Sequence, residues 1–292
     1  MSIAVPSPEF ASRNGLLRAW TRNPLMLASA GFLLLVALLS LGAPLLPLQD
    51  PMAMDPINRL KPPSLAHFFG TDSLGRDVFS RAIHGGRVSL MVGAGVALLS
   101  TLFGLICGIC AGFYARVDAI LMRLMDAIMS IPAILLAVAL VSLNKPGALT
   151  VIIAITLVEI PRVTRVVRSV VLTVREQAYI EAAIAIGTRP LKLLVRHVLP
   201  NAVSPLIVQA TFIAALAVLL EAALSFLGAG TPPEIPSWGN MMSSGRSFIR
   251  SAPWILLCPG LLLGLTGLAI NVLGDELRDM LDPRMSRGME LR

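Results

Sequence analysis

Residues 88–115 run for twenty-eight positions without a charged side chain. Water-soluble folds rarely bury a helix that is apolar for so long, whereas about 20 such residues cross the hydrocarbon of a bilayer. Inside lipid each backbone N–H and C=O must be satisfied within the segment, so the run is read as a helix. Uncharged runs recur at 25–48 and 127–144, and a shorter one at 146–161 carries one acid, Glu159. Another at 198–220 is clean up to Glu221 and stays apolar to 230, and the last covers 251–274. The expectation is an all-α, polytopic membrane protein with six transmembrane helices. No run alternates apolar and polar residues at period two, which excludes a β-barrel. Composition agrees: 55% of residues are hydrophobic and 14% charged, against about 25% charged in soluble domains. Arg13, Arg18 and Arg22 precede the first run as in a signal peptide, but its 24 residues exceed the roughly 7–15 of a signal core. It reads as an uncleaved anchor.

The net charge of +7 is topological rather than a nucleic-acid footprint, because the basic residues are spread between apolar runs. With six spans, both termini share a side. The connections on that side hold 16 Lys and Arg, and those on the other side hold 8. The excess assigns both termini and the loop 162–201 to the cytoplasm. Segments 49–87 and 229–250 then face outward.

Several chemistries are absent. Cys107 and Cys110 form a CxxC, but no second pair or nearby histidine accompanies it, so the two read as small packing residues rather than a metal or redox site. No GxxxxGK[ST] occurs, and none of the three lysines follows a glycine, so the chain is no P-loop ATPase. HExxH and GxSxG are missing too. Glu159 and Glu221 are the acids of the spans, too few for an ionisable relay, and no nucleophile–base pair or paired carboxylate is evident. The chain is expected to move something while being driven from elsewhere. Gly104, Gly108 and Gly112 with Ser100, and again Gly260 and Gly264, make small-xxx-small ladders for close helix packing within the bundle.

The loop 175–197 reads R-E-Q-A-Y-I-E-A-A-I-A-I-G-T-R-P-L-K-L-L-V-R-H. Strong helix formers from Gln177 to Ile186 end at Gly187, a C-cap signal. Tyr179, Ala182, Ala183 and Ile186 share one face of that helix. Pro190 restarts a helix with Leu191, Leu194, Val195 and Val198 on one side, and Leu199-Pro200-Asn201 opens the fifth span. By pattern alone, two partners fit such a loop: a groove in another protein, or lipid headgroups.

The spacing E-A-A, three residues, G, then L-P twelve residues on is met by Glu181, Ala182, Ala183, Gly187, Leu199 and Pro200. It resembles the signature loop of permease subunits in bacterial ABC importers. Arg196-His197-x-Leu199-Pro200-Asn201 resembles the peptide-importer branch, where histidine replaces the usual aliphatic residue. Three further segments are similar to C-type subunits of that branch. They are Phe69-Gly70-Thr71-Asp72 with Leu74-Gly75-Arg76-Asp77 and Ser80-Arg81, then Ser225-Phe226-Leu227-Gly228 with Pro232-Pro233 and Trp238-Gly239, and finally Gly274-Asp275 with Leu277-Arg278-Asp279 and Leu281-Asp282-Pro283. Together they cover 69–284.

The resemblance implies a type I importer permease that moves di- or oligopeptides across the inner membrane. Its implied partners are a homologous B-type permease subunit, two cytoplasmic P-loop ATPase subunits, a periplasmic or lipid-anchored peptide-binding protein and membrane lipids, with no nucleic acid. ATP and Mg would sit on the ATPases, so this chain is expected to bind no cofactor and no metal and to catalyse no reaction. Residues 1–85 would form an N-terminal tail, anchor helix and outer segment, 86–275 the permease core, and 276–292 a cytoplasmic tail. Glu181 and Gly187 would belong to a helix seated on the ATPase. Gly70, Thr71, Asp72, Gly75, Arg76 and Asp77 read as a structured outer turn, either touching a partner or capping itself. Glu221 could meet a peptide amino group in the pathway or make a structural hydrogen bond. Glu159 beside Arg162 reads as an interfacial ion pair, and Arg162, Arg165 and Arg168 as a stripe for anionic lipid or the ATPase. The alternatives are the same importer type carrying nickel, glutathione or another small solute, and an ion-coupled secondary carrier.

Overall fold

The computed structural model describes residues 24–281. Arg13, Arg18 and Arg22, the side chain of Leu191, and the tail with Asp282, Pro283 and Arg284 lie outside the described residues. Among those described there is no strand, only an isolated bridge between Thr71 and Asp77.

The anchor is α1, Pro24–Gly42. A loop with short 3-10 turns leads to α2, Val78–Phe113, a helix of 36 residues and thus about 54 Å. Then come α3, Ala115–Met129, and α4, Ala133–Ser142. Helix α5 is Ala148–Arg175, α6 is Ala178–Ala185 and α7 is Pro190–Leu193. Helix α8 is Leu199–Phe226, α9 is Trp238–Gly245 and α10 is Trp254–Leu281.

Four stretches are long and apolar enough to cross a membrane: Pro24–Leu45, Val78–Phe113, Leu194–Phe226 and Trp254–Met280. A fifth is counted if α3 and α4 make one broken span, for they meet at 89°. The third uncharged run is therefore not one helix. Ile131 and Pro132 interrupt it, and the 10 residues of α4 reach only about 15 Å. The fourth run also differs from its sequence boundaries. Pro161 sits inside α5 without ending it, and the helix carries Glu159, Arg162 and Arg165 on toward the loop.

The core is organised by α2. Added Cβ atoms at Gly104, Gly108 and Gly112 would lie 2.4, 2.5 and 2.5 Å from the Cβ atoms of Val163, Val167 and Val171. The numbers rise together, so α2 and α5 run parallel in backbone-close contact, and the glycine ladder packs inside the bundle. Gly93 of α2 likewise admits Val218 of α8. In the second ladder a Cβ on Gly260 would meet only the end of the Met242 side chain, at 3.6 Å, and one on Gly264 nothing within 4 Å, so this ladder brings no backbone close among the described residues.

Candidate functional site

The loop after α5 is a folded object rather than a tether. Gln177 is extended and starts α6, and Ile180, fully buried, pins that helix to the main core. Half-buried Ala183 packs on the same cluster. Glu181, Ala182, Ala185 and Ile184 point outward, and Ile186 is 84% exposed. The Tyr179 and His197 rings lie 5.7 Å apart and tie the start of α6 to the returning chain. Of the face expected for a partner, Tyr179, Ala182 and Ile186 are exposed, whereas Ala183 turns half inward. The anchor, Ile180, falls outside that periodic set.

Gly187 ends α6 with φ +79°. Its N–H donates to the Ile184 carbonyl (2.9 Å), and the Thr188 N–H donates to that of Ala183 (3.0 Å). That pair of bonds is a Schellman cap, which needs a left-handed residue at this position. An added Cβ would meet nothing within 4 Å, so conformation rather than space within this chain demands glycine. After α7, Leu194–Val198 forms a π turn leading straight into α8. Leu199 donates back to Leu194, and Pro200 has no N–H to give the Arg196 carbonyl. The side expected from Leu194, Val195 and Val198 is re-registered by this wider turn. Leu193 and Val198, five residues apart, are buried, and Val195 is 57% exposed.

At the N-terminal end of α2 the turn 70–77 closes on itself. Asp72 is nearly buried, and its Oδ1 accepts the N–H groups of Leu74 (2.8 Å) and Arg76 (3.0 Å). Its Oδ2 accepts Arg76 Nε at 2.7 Å, with Arg81 Nε 3.9 Å away. Asp77 caps α2 through the Ser80 N–H (2.7 Å), and its other oxygen lies 3.0 Å from His67 Nδ1. The Thr71 carbonyl accepts Trp254 Nε1 at 3.1 Å, which fastens the turn to α10. Gly70 and Gly75 both have positive φ, and a Cβ on Gly75 would fall 1.7 Å from the Asp55 carbonyl oxygen. Gly70, Thr71, Asp72, Arg76 and Asp77 are thus buried in a brace.

The family model "Binding-protein-dependent transport system inner membrane component" matches residues 100–287. The chain belongs to this family. It is 51% identical over 93% of its length to the probable peptide ABC transporter permease protein y4tQ of Sinorhizobium fredii, 93% of which is covered. It is 42% identical over 89% to the dipeptide transport system permease protein DppC of Alkalihalophilus pseudofirmus, covering 86% of it. With the oligopeptide transport system permease protein OppC of Bacillus subtilis it shares 36% identity over 91%, covering 87% of that protein. The fold is similar to a chain of the inward-facing MetNI methionine ABC transporter, with TM-score 0.59 and 20% identity over 69% of this chain and 96% of that one. This inner membrane component is a multi-pass membrane protein.

Towards the C-terminal end of α8, Glu221 is fully buried. Its carboxylate accepts Ser225 Oγ at 2.8 Å and Ser89 Oγ, from α2, at 3.1 Å. From Ser225 the bonds continue to the Thr231 N–H (3.3 Å), and Thr231 Oγ1 donates to Ser237 Oγ, the cap of α9 (3.3 Å). Trp238 is buried beside them and donates from Nε1 to the Ala82 carbonyl at 2.9 Å. The Ser225–Gly228 motif is a second Schellman cap, with Gly228 donating to Ser225 and Ala229 to Leu224. Ser225 lies one helical turn from Glu221, but Ser89, 132 residues away in the chain, carried no signal by which sequence reasoning could have paired it with the acid.

The arginine stripe of α5 is also spoken for within the chain. Arg165 pairs with Asp126 at 2.5 Å, and Arg168 makes a two-pronged bond to Asp118, with Nη2–Oδ2 at 2.7 Å. Both acids lie on α3, so the stripe fastens α3 to α5. Arg162 and Arg165 still keep 39% and 47% of their side chains exposed. Arg162 lies 3.5 Å from the buried Glu159, whose carboxylate oxygens have no hydrogen-bond partner.

Proposed function

We propose that the chain is the permease subunit of an ABC importer for di- or oligopeptides, worked from outside itself by ATPase subunits at α6. The observation that carries this reading is the capped, core-anchored α6 with Glu181, Ala182 and Ile184 presented outward. A short helix bolted through Ile180 to the main core can transmit a push, which a lipid-floating helix cannot. Gly187 fixes where α6 stops, and Leu199-Pro200 fixes where α8 starts. The names of the relatives support peptides as cargo.

On this reading the chain crosses six times. The broken pair α3–α4 supplies the third crossing and α5 the fourth, its Glu159 shielded by the bundle. Both termini and α6 are cytoplasmic, and 86–275 is the permease core. Its partners are a homologous B-type permease, two P-loop ATPases that hold ATP and Mg, and a periplasmic or lipid-anchored binding protein. Glu221, enclosed by Ser89 and Ser225, serves as a brace between α2 and α8 instead of a peptide contact, and the outer turn 70–77 holds α2 to α10. The test is to purify the tagged chain from native membranes and identify what accompanies it. A second permease, P-loop ATPases and a peptide-loaded binding protein are expected. A chain that purifies alone and still transports in liposomes refutes the reading.

A further inference from the structure

The C-terminal motif Gly274-Asp275 with Arg278 is left unexplained by coupling, and it lines a groove. Helices α8 and α10 run antiparallel: an added Cβ at Gly267 would lie 3.8 Å from Leu219, and one at Gly274 would lie 2.4 Å from Thr211 Oγ1. Beside the Gly274 contact the helices part around a cavity of about 300 Å³ lined by Gln209, Thr211, Phe212, Asn271, Asp275 and Arg278. That is the lower end of the size range of small-molecule sites.

Its polar groups lie where the apolar run of α10 gives way to charge. Asn271 stands three residues before Gly274, the end of that run, and Gln209, two residues before Thr211 on the antiparallel α8, falls level with the charged turn. Primary amides at such a boundary are costly in lipid unless they face protein or a wet cavity. Thr211 satisfies itself on the Val208 carbonyl (2.8 Å), but among the described residues neither amide has a hydrogen-bond partner. Asn271, Asp275 and Arg278 follow at i, i+4 and i+7, one stripe of α10.

We propose that this groove is an exit site for the cargo, which receives a zwitterionic dipeptide or the end of a longer peptide; the proposal rests on the peptide-importer reading above. Gln209 and Asn271 offer both donors and acceptors to a peptide unit. Asp275 suits an α-ammonium and Arg278 an α-carboxylate. Side chains at i and i+3 stand about 5–6 Å apart, and an extended dipeptide spans at most about 7 Å. A phosphate headgroup would find Asp275 repulsive and leave the two amides unmet.

The test uses the complete importer in proteoliposomes with radiolabelled dialanine. Gln209 or Asn271 is replaced by p-benzoylphenylalanine and irradiated during ATP turnover. Label on this chain, displaced by unlabelled dialanine and dependent on ATP, is expected. Crosslinks confined to the sister subunit or to lipid overturn the proposal. Independently, Gln209→Leu with Asn271→Leu should lower uptake roughly fivefold or more, the scale of one or two net hydrogen bonds, while subunit assembly and ATP hydrolysis persist. Unchanged uptake overturns the proposal, as does loss of assembly, which would make the groove a subunit contact. Failure of the unmodified importer to take up any peptide would instead remove the peptide reading itself, and the exit site with it.

Discussion

Replacing Gly187 separates conformation from contact at the loop between α5 and α8. Its φ of +79° is left-handed, and an L-residue there costs roughly 1–2 kcal/mol. Nothing within 4 Å adds a steric cost in this chain. The local equilibrium between capped and frayed α6 should therefore shift by a factor of roughly 5–30, while Ile180 and the core stay in place. Gly187→Ala is expected to weaken ATPase co-purification by that factor and to leave the thermal transition of the detergent-solubilised chain within a degree or two, since the cap is peripheral. Asparagine tolerates this backbone region, so Gly187→Asn should restore most of the binding if the cap alone matters. If the ATPase fills the open space beside Gly187, Gly187→Asn should bind as poorly as alanine, and Gly187→Asp should add a charge and do worse. Normal ATPase binding and uptake by both Ala and Asp variants would refute the reasoning.

Further measurements probe the frame around that loop. Ile180→Ala removes a fully buried anchor and is expected to cost about 2–5 kcal/mol locally; the ATPases should still bind, but ATP hydrolysis should drive less uptake per turnover, which coupled assays in proteoliposomes read directly. Gly108→Ala places a Cβ 2.5 Å from that of Val167 and 2.8 Å from the Thr164 carbonyl oxygen. It should destabilise the α2–α5 pair by about 1–3 kcal/mol, seen as a lower melting temperature. Asp72→Ala strands Arg76, while Arg81 keeps its bond to the Pro51 carbonyl, and should cost about 3–5 kcal/mol; adding Arg76→Ala should cost little more in a double-mutant cycle. Trp238→Phe keeps the ring but loses the bond to the Ala82 carbonyl, a loss of about 1 kcal/mol by the same melting assay.

Hydropathy made four crossing helices legible because lipid forces long uncharged runs to be helical. It misjudged two segments, for opposite reasons. At 127–144 the run is apolar throughout, yet Pro132 prevents one straight helix and the chain turns by 89°. In α5 the charges begin at Glu159 and hide a 28-residue helix, because Asp118 and Asp126 on α3 answer its arginines from forty to fifty residues away. The loop was readable at Gly187, where a cap leaves a local signature. It was not readable at Ile180, whose inward role depends on where α5 delivers the chain. The π turn was hidden too, since a 3.6-residue period puts Val195 and not Leu193 on the inward side.

The way α6 is mounted bears on how a motion there could reach the far side of the membrane. Ile180, Leu193 and Val198 of the loop belong to the same buried cluster as Val163, Val167 and Val171 of α5 and as Val92 and Val96 of α2. Close-packed side chains resist compression, so a displacement of α6 cannot be absorbed locally. The glycine ladder removes the remaining slack, for at Gly104, Gly108 and Gly112 the α2 backbone bears directly on valines with little rotameric freedom. At its other end helix α2 meets the turn 70–77, where Asp77 caps it and Asp72 clamps the loop to Arg76. Glu221, taking one hydroxyl from α2 and another from its own helix, joins α8 to the same unit through Ser89. The polar groove lies elsewhere, along the α8–α10 seam, where contact through Gly274 is close but the neighbouring side chains leave a cavity. A push at α6 would therefore be borne by α2, α5 and α8 together, and the α8–α10 seam is where it could change the shape of a site.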